Sequence, residues 1–414
     1  MEEKLHTPEG VRDIYSRECE IKLTLQKKLN QVLHLYGYED IQTPTFEYYD
    51  VFREEIGSTS TQELYKFFDR DGNILSLRPD ITPSVARAAA TLFDTEEFPL
   101  RFCYVGNTFI NHSSYRGRLK ENTQLGAELI GLDSVEADAE MIAMVADALK
   151  KAGLEEFQIS IGHVDFLQSI LSAARLDDET AEHIRELIGN RNFFGAEELL
   201  EEKKADETVR KAFSILPELM GTEDALDKAE QFAIDEKAKS AVARLRQISH
   251  LLQLYHASDH VTFDLSMSGG YGYYTGIVFR VYTYGTGDAI VRGGRYNHLL
   301  EKFGKETPSI GFAIIVDELM SALSRQKISV ETTRRNIIVY TEKTESDAII
   351  LAGSFRQKGR CIELIKEEKG KDRSAYEAYA KRKNAAALIC LSDEKRLEMM
   401  NLITGEKKTA DIAK

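Results

Sequence analysis

Three histidines in the second half of the chain are the side chains best suited to binding a metal. His250, His256 and His260 lie close together, and imidazole is a common zinc ligand. The i,i+4 pair His256 and His260 would share a face of a helix. However, the HExxH sequence is absent and no cysteine lies near these histidines. We therefore expect packing or surface roles for them, and no metal site.

A cluster of glycines follows these histidines. Ten of the 27 glycines fall between Gly269 and Gly311. Their spacing fits neither GxGxxG nor the Walker A pattern, so they do not predict a nucleotide-binding loop. Glycine in strand-like sequence allows the backbone to approach a neighbour closely. We expect these glycines to surround a pocket.

The overall charge disfavours a general nucleic-acid-binding protein. The 414 residues include 54 Lys+Arg and 68 Asp+Glu, a net charge of −14. Binding to a phosphate backbone requires a basic surface that displaces counterions. The sequence therefore makes tRNA an unlikely partner, although a local basic patch stays open.

Cysteine usage and hydropathy predict a reduced cytoplasmic protein. The four cysteines, Cys19, Cys103, Cys361 and Cys390, are scattered and form no CxxC pair. The first ten residues contain no apolar segment typical of a signal peptide. No run of 18 apolar residues occurs, so the sequence predicts no membrane-spanning helix.

Several elements can be predicted from local patterns. Apolar residues at helical spacing predict a helix over 16–36, with Ser16 as its cap and Gly37 as its end. Tyr65–Phe68 and Ile74–Leu77 flank an Asp- and Gly-containing turn and predict a hairpin. Residues 165–257 are helical and highly charged, and the run from Glu197 to Lys211 predicts a solvated helix face.

Nine short segments, in order along nearly the whole chain, resemble the class II aminoacyl-tRNA synthetases and specifically the histidyl enzyme. They are Thr7–Asp13, Tyr36–Glu47, Phe67–Arg70, Leu77–Pro83, Gly117–Arg118, Gln124–Glu128, Gly272–Gly276, Gly293–Tyr296 and Gly311–Ala313. The resemblance implies an α+β fold, with an antiparallel sheet core flanked by helices. It predicts a core in two parts, 1–164 and 258–330, around a helical insertion, 165–257. Residues 331–414 resemble a shortened anticodon-binding domain of α/β type.

Four positions depart from the synthetase pattern. A synthetase joins an amino-acid carboxylate to the α-phosphate of ATP, so its site needs fixed cations. The resemblance implies an Arg where this chain has Ile110, a second where it has Glu318, and a third where it has Gly269. It also implies a Glu at the place of His112. The expected outcome is a chain without catalytic residues that binds or regulates.

The amino-acid pocket of the histidyl enzyme is better matched. The resemblance implies that an acidic residue, a Thr and a Gln hold the substrate ammonium, and that a Glu and two Tyr hold its imidazole. The six predicted histidine-binding residues are Asp80, Thr82, Gln124, Glu128, Tyr273 and Tyr274. These side chains supply suitable acceptors for an ammonium and for a ring N–H.

A synthetase-like chain with these departures resembles the regulatory subunits of ATP phosphoribosyltransferase. The resemblance implies a homodimeric core paired around Thr43 and Pro44. It also implies a hetero-octamer with a short-form catalytic subunit, and histidine as the allosteric effector in histidine biosynthesis. No cofactor is expected. Two alternatives stay open: an active histidyl-tRNA synthetase, and a synthetase-like sensor of histidine or tRNA.

Overall fold

A computed structural model describes residues 6–53, 59–94, 97–112, 118–267, 273–394 and 396–411. The chain divides into two compact units, Met1–Val330 and Glu331–Lys414. The boundaries predicted near 164 and 257, inside the first unit, stay predictions. The mixed helix and sheet architecture confirms the predicted α+β class.

Twelve α-helices occur in the described ranges, ten of them in the first unit. In chain order these are Ser16–Leu35 (α1), Thr82–Leu92 (α2), Val135–Ala152 (α3), Val164–Ala173 (α4), Asp178–Gly189 (α5), Phe193–Glu202 (α6), Glu207–Ser214 (α7), Glu223–Gln231 (α8), Glu236–Leu254 (α9) and Val316–Arg325 (α10). In the second unit they are Glu345–Gln357 (α11) and Arg373–Arg382 (α12). Over the described ranges, none of these helices is both long and apolar enough to cross a membrane.

The described ranges contain seventeen strands, several of which follow one another with no α-helix between them. In the first unit they are Glu39–Asp40 (β1), Phe46–Tyr48 (β2), Lys66–Phe68 (β3), Ile74–Leu77 (β4), Leu100–Phe109 (β5), Glu121–Ile130 (β6), Phe157–His163 (β7), Met220–Gly221 (β8), Val261–Asp264 (β9), Ile277–Thr283 (β10), Val291–Arg295 (β11) and Ser309–Ile315 (β12). In the second unit they are Asn336–Tyr340 (β13), Ile362–Lys366 (β14), Ala387–Leu391 (β15), Arg396–Asn401 (β16) and Lys407–Asp411 (β17).

One large sheet organises the first unit. Among the described residues its order is β1-β5-β6-β12-β11-β10-β7-β9-β8. The central strands pair antiparallel, as predicted, but β1 runs parallel to β5 and β7 runs parallel to β9. The sheet is therefore mixed at its two ends. A separate antiparallel sheet, β2-β4-β3, contains the predicted hairpin.

Helix α1 shows how the core forms on one face of the large sheet. Its buried residues Leu25, Leu29, Val32 and Leu33 form one stripe at helical spacing, and the helix packs on α3 and β5. The prediction that Ser16 caps this helix is wrong, because Tyr15 is the N-cap residue and no side chain caps the first turn. Ser16 has a left-handed backbone, φ 51°, rather than the extended conformation of an N-cap.

Strand β6 separates this core from the opposite face of the sheet. Leu125, Ala127 and Leu129 are fully buried in the helix-covered core. Alternate residues of a strand point to opposite faces, so Gln124 and Glu128 point away from those helices. The predicted pocket residues of β6 therefore lie on the face that the helical core leaves open.

The charged run Glu197–Lys211 differs from its prediction. It contains the end of α6 and the beginning of α7 rather than one continuous helix, and Lys204 between them has a left-handed backbone, φ 55°. Leu200 and Val209 are buried within it. The charges thus lie on the outer faces of two short helices.

The second unit is a five-stranded sheet of order β14-β13-β15-β16-β17. Strands β13, β14 and β15 are parallel, as a small α/β domain predicts. The antiparallel pair β16 and β17 was not predicted. Strand β17 is exposed along its whole length and carries two lysines, so it lacks the apolar alternation that marks a strand.

Candidate functional site

A row of three residues across β6, β12 and β11 forms part of the site floor. Glu128 pairs with Gly311, and Gly311 pairs with Gly294. A Cβ on Gly311 would lie 1.6 Å from Glu128 Oε2, and a Cβ on Gly294 would lie 2.7 Å from the Tyr274 ring. Both positions therefore require glycine, because any side chain there would occupy the space of Glu128 or Tyr274.

A second row of paired residues lies two residues away along the same three strands. Gly126 pairs with Ala313, which pairs with Arg292. Directly opposed residues of antiparallel strands share a face, so Arg292 lies on the same face as Glu128. A Cβ on Gly126 would lie 2.6 Å from the Tyr104 hydroxyl. The small residues of this row leave room for larger side chains around them.

The carboxylate of Glu128 is fully buried and bound by three hydroxyl groups. Thr82 Oγ1 donates to Glu128 Oε1 over 2.6 Å, and the Tyr104 hydroxyl donates to the same oxygen over 3.2 Å. The Tyr296 hydroxyl donates to Oε2. These donors come from α2, β5 and the residue after β11, so one carboxylate connects three separate parts of the fold.

Burial dominates the electrostatics of this carboxylate. It raises the pKa of Glu128 to about 8, because the charged form loses its hydration. The Thr82 and Tyr296 hydroxyls oppose this shift by donating to the charged form, and the nearby Asp80 adds to the shift by repulsion. At neutral pH the site therefore favours a protonated Glu128.

Asp80 lies two residues before the first residue of α2 and is also buried. Its Oδ1 accepts from the Ile81 backbone N–H at 2.8 Å, and its Oδ2 accepts from the Tyr273 hydroxyl at 3.2 Å. Tyr273 also packs edge-on against Tyr296, with ring centroids 5.8 Å apart. The Tyr273 side chain thus connects the ammonium-binding and imidazole-binding halves of the predicted pocket.

The structure brings the six predicted histidine-binding residues together. Asp80, Thr82, Gln124, Tyr273 and Tyr274 line a cavity of about 30 Å³, which has room for ordered water. Glu128 lies behind the residues that line the cavity, and it is hydrogen-bonded to two of them, Thr82 and Tyr296. Whether these six bind histidine stays a prediction.

Gln124 contributes an acceptor to this cavity. Its Oε1 atom is buried and has no hydrogen-bond partner among the described residues. Buried polar atoms are nearly always hydrogen-bonded, so an exception calls for a physical explanation. An ammonium group of a bound ligand would supply the missing donor.

Two residues of the site were missed by the sequence reasoning. Tyr296 binds Glu128, and Arg292 lines the cavity. Both lie two residues from Gly294, in or beside a segment that the synthetase resemblance covers. Strand alternation would have placed all three on one face, but the sequence did not show which face surrounds the pocket.

A second cavity, of about 280 Å³, adjoins the first and shares Gln124, Arg292 and Ile315 with it. Ile110, His112 and Glu318, three of the positions where the resemblance predicts a departure from the synthetase pattern, line this second cavity. The fourth, Gly269, lies outside the described residues.

The second cavity contains charges of both signs. Asp288 Oδ2 lies 2.6 Å from a guanidinium nitrogen of Arg292 and 3.9 Å from one of Arg118. His112 Nδ1 lies 3.2 Å from Glu63 Oε1. Each of these basic groups therefore has a carboxylate beside it, and Glu318 adds a further acidic group.

His260, one of the three clustered histidines, has a packing role. Its ring stacks on Phe157 with centroids 4.1 Å apart, and its Nδ1 lies 3.2 Å from the Phe157 carbonyl oxygen. In the described part of the chain, one group has metal-ligand spacing: His34, Asp40 and Cys103, with ligand atoms within 4.8 Å of one another. This group was not foreseen from the sequence.

Comparison with known proteins gives a family match along most of the chain. The family model described as histidyl-tRNA synthetase matches residues 10–319. The ATP phosphoribosyltransferase regulatory subunit of Acetivibrio thermocellus is 38% identical over 411 residues, 99% of this chain and 98% of the relative. That of Ruminiclostridium cellulolyticum is 35% identical, covering 97% of each chain.

Solved structures agree with this match. A protein from Bacillus halodurans, described as an ATP phosphoribosyltransferase regulatory subunit/histidyl-tRNA synthetase, superposes with a TM-score of 0.83 and 30% identity. The superposition covers 94% of this chain and 99% of that one. Histidyl-tRNA synthetase from Nostoc also gives a TM-score of 0.83, at 19% identity over 99% of this chain and 97% of its own, which supports the fold alone. The predicted resemblance is confirmed.

Proposed function

Because the chain belongs to the histidyl-tRNA synthetase-like family of ATP phosphoribosyltransferase regulatory subunits, we propose that it is the non-catalytic regulatory subunit of that enzyme. It assembles with a short-form catalytic subunit, is required for its activity, and makes the complex sensitive to histidine. The observation that carries the proposal is the contrast between the two adjacent cavities.

The smaller cavity fits the recognition of a free amino acid. Asp80 and the buried Gln124 oxygen offer acceptors to an ammonium group. The Thr82 hydroxyl is a third acceptor for the ammonium group. Tyr273, Tyr274 and Glu128 hold the imidazole. The ligand ammonium replaces the Tyr273 hydroxyl as the hydrogen-bond partner of Asp80.

The larger cavity is poorly suited to adenylate formation. Bringing a carboxylate to the α-phosphate of ATP requires fixed, uncompensated positive charge. Here Asp288 lies beside the guanidinium groups of Arg118 and Arg292, and with Glu63 and Glu318 the lining has three carboxylates against two guanidinium groups. Ile110 offers no charge at a position where the family resemblance implies an Arg. These features support a regulatory role over a catalytic one.

Displacement of Tyr273 gives histidine a way to influence the catalytic partner. A ligand shifts an equilibrium only through a difference in affinity for its two states. One state has Tyr273 bound to Asp80, and the other has the ligand ammonium in its place. Histidine thus inhibits by favouring the second state of the complex, and the catalytic subunit responds to that change.

A homodimeric core within a hetero-octamer is part of the proposal. Strands β2, β3 and β4 carry exposed large apolar side chains: Phe46, Tyr48, Phe67, Phe68 and Ile74. By strand alternation Phe46, Tyr48 and Phe67 lie on one face of this small sheet, and the cross-strand pair Phe68 and Ile74 lies on the other. Groups of exposed apolar side chains mark interaction surfaces, and β2 closely follows Thr43 and Pro44, where the family resemblance implies pairing. A second copy of the chain covers this surface.

The test is to mix the purified chain with a short-form catalytic subunit and follow phosphoribosyl-ATP formation with and without histidine. We expect turnover to depend on this chain and to fall when histidine is added; the catalytic subunit alone is the control. No assembly and no change in turnover would refute the proposal. Histidine-dependent exchange between ATP and pyrophosphate by the isolated chain would instead support the alternative of an active synthetase.

A further inference from the structure

Arg292 is a cation that faces the amino-acid cavity without a role assigned by the family resemblance. It lies on β11 opposite Ala313, on the same sheet face as Gln124 and Glu128. It lines both cavities. Its side chain is 32% exposed, which leaves it within reach of a ligand that enters from solvent.

The charges around the smaller cavity are arranged for a zwitterion. Asp80 and the Gln124 oxygen supply acceptors at one part of the wall, and Arg292 supplies donors at another. Gln124 on β6 and Arg292 on β11 are separated by the single strand β12, where they lie beside Ile315 and Ala313 respectively. Their backbones are therefore two strand spacings across and two residues along the sheet from each other, about 12 Å. Both side chains line the same cavity, so one ligand there can contact Gln124 with its ammonium and Arg292 with its carboxylate.

A bound amino acid brings a carboxylate that needs a partner once water is removed, because an unpaired buried charge is costly. Arg forms bidentate hydrogen bonds with carboxylates, which are stronger than neutral hydrogen bonds. In the structure Asp288 Oδ2 occupies this role, 2.6 Å from the Arg292 guanidinium. The Asp288 carboxylate is 44% exposed, so it stays hydrated when Arg292 turns to a ligand.

We infer that Arg292 binds the α-carboxylate of the amino acid in the smaller cavity, exchanging Asp288 for the ligand. This inference rests on the proposed histidine site. Binding of the carboxylate by Arg292 makes the site selective for free histidine over analogues that keep the imidazole and ammonium but lack the carboxylate. It also supplies a carboxylate-binding cation from within the chain, without a contribution from a partner.

Isothermal titration of the wild-type chain, alone and in its complex, with histidine and with histamine tests the inference. Histamine lacks only the carboxylate. Hydrogen bonds to charged groups correspond to about a ten- to hundredfold change in affinity. We expect histidine to bind tighter than histamine by that factor, and Arg292→Ala to reduce histidine binding to the level of histamine while histamine binding stays unchanged.

Two further variants make the result specific. Arg118→Ala removes the other guanidinium beside Asp288 but lines only the larger cavity, so it should keep the preference for histidine. Arg292→Gln retains much of the side-chain length and should lose the preference, which guards against a packing defect in Arg292→Ala. The comparison of the two ligands on the wild-type chain requires no variant.

The outcomes separate this inference from the proposal beneath it. Equal affinities of the wild-type chain for histidine and histamine, or an unchanged preference in Arg292→Ala, would overturn the role of Arg292 and leave the histidine site standing. Binding of neither ligand, by the chain or by its complex, would overturn the histidine site and the role of Arg292 together.

Discussion

The Thr82 hydroxyl donates a 2.6 Å hydrogen bond to Glu128 Oε1, joining the first residue of α2 to strand β6 across 46 residues of sequence. Tyr296 binds the other carboxylate oxygen from the end of β11. Glu128 is therefore a structural connection as well as a predicted ligand-binding residue. Its substitution should change both the stability of the first unit and its response to histidine.

The pH dependence of stability should reveal the buried Glu128. Its pKa is about 8 in the folded chain and near 4.5 when exposed, so the folded chain keeps a proton that the unfolded chain releases between these values. Its contribution to stability is complete below pH 4.5 and is lost as pH rises toward about 8. The loss is at most about 1.4 kcal/mol per pH unit.

Urea unfolding of the wild-type chain and of Glu128→Gln at several pH values in this window measures the effect. The glutamine variant cannot titrate, so the free energy of unfolding of wild type relative to the variant should decrease with rising pH and level off above about pH 8. A difference that is constant with pH would mean that Glu128 is ionised in the folded chain at neutral pH.

The same substitution tests the ligand role of Glu128. If Glu128 accepts from the imidazole as a carboxylate, Glu128→Gln should raise the histidine concentration for half-inhibition about tenfold or more above about pH 8, where the wild-type group is ionised. Assembly with the catalytic subunit, followed by size-exclusion chromatography, should be unaffected. Glu121→Gln is a matched control, because Glu121 lies on the same strand but binds Asn107, whereas Glu128 binds Thr82 and Tyr296, which line the smaller cavity. Unchanged inhibition in Glu128→Gln would place histidine at another site.

Much of this site followed from the sequence, and the rest depends on tertiary geometry. Asp80 and Glu128 were found because their short segments match a known family in order. The hydrogen bond between Tyr273 and Asp80 joins residues 193 positions apart, and no local pattern predicts such a pair. Arg292 and Tyr296 were missed because their role depends on the register of β11 against β12. Register becomes visible only when the strands are paired.

Gly311 should not tolerate even alanine. Its Cβ would lie 1.6 Å from Glu128 Oε2, and β12 is paired on both sides, so the backbone has little freedom to shift. We expect Gly311→Ala to lower the free energy of unfolding by about 1–3 kcal/mol or more, measured by urea unfolding. Gly189→Ala at the end of α5 is the control, since no atom lies within 4 Å of its added Cβ. Equal stability of the two variants would contradict the close packing of Glu128 on Gly311.

The exposed apolar surface of β2, β3 and β4 should hold two copies of the chain together. Phe68 is 72% exposed on β3, and Phe68→Glu would place a charge in the proposed interface, where an unpaired charge is costly. We expect this variant to sediment as a monomer at concentrations where the wild-type chain is a dimer. Phe194→Glu is the matched control, because Phe194 is similarly exposed, 70%, but lies on α6. It should remain dimeric. A dimeric Phe68→Glu variant would place the subunit contact on another surface, and a monomeric wild-type chain would refute the homodimeric core.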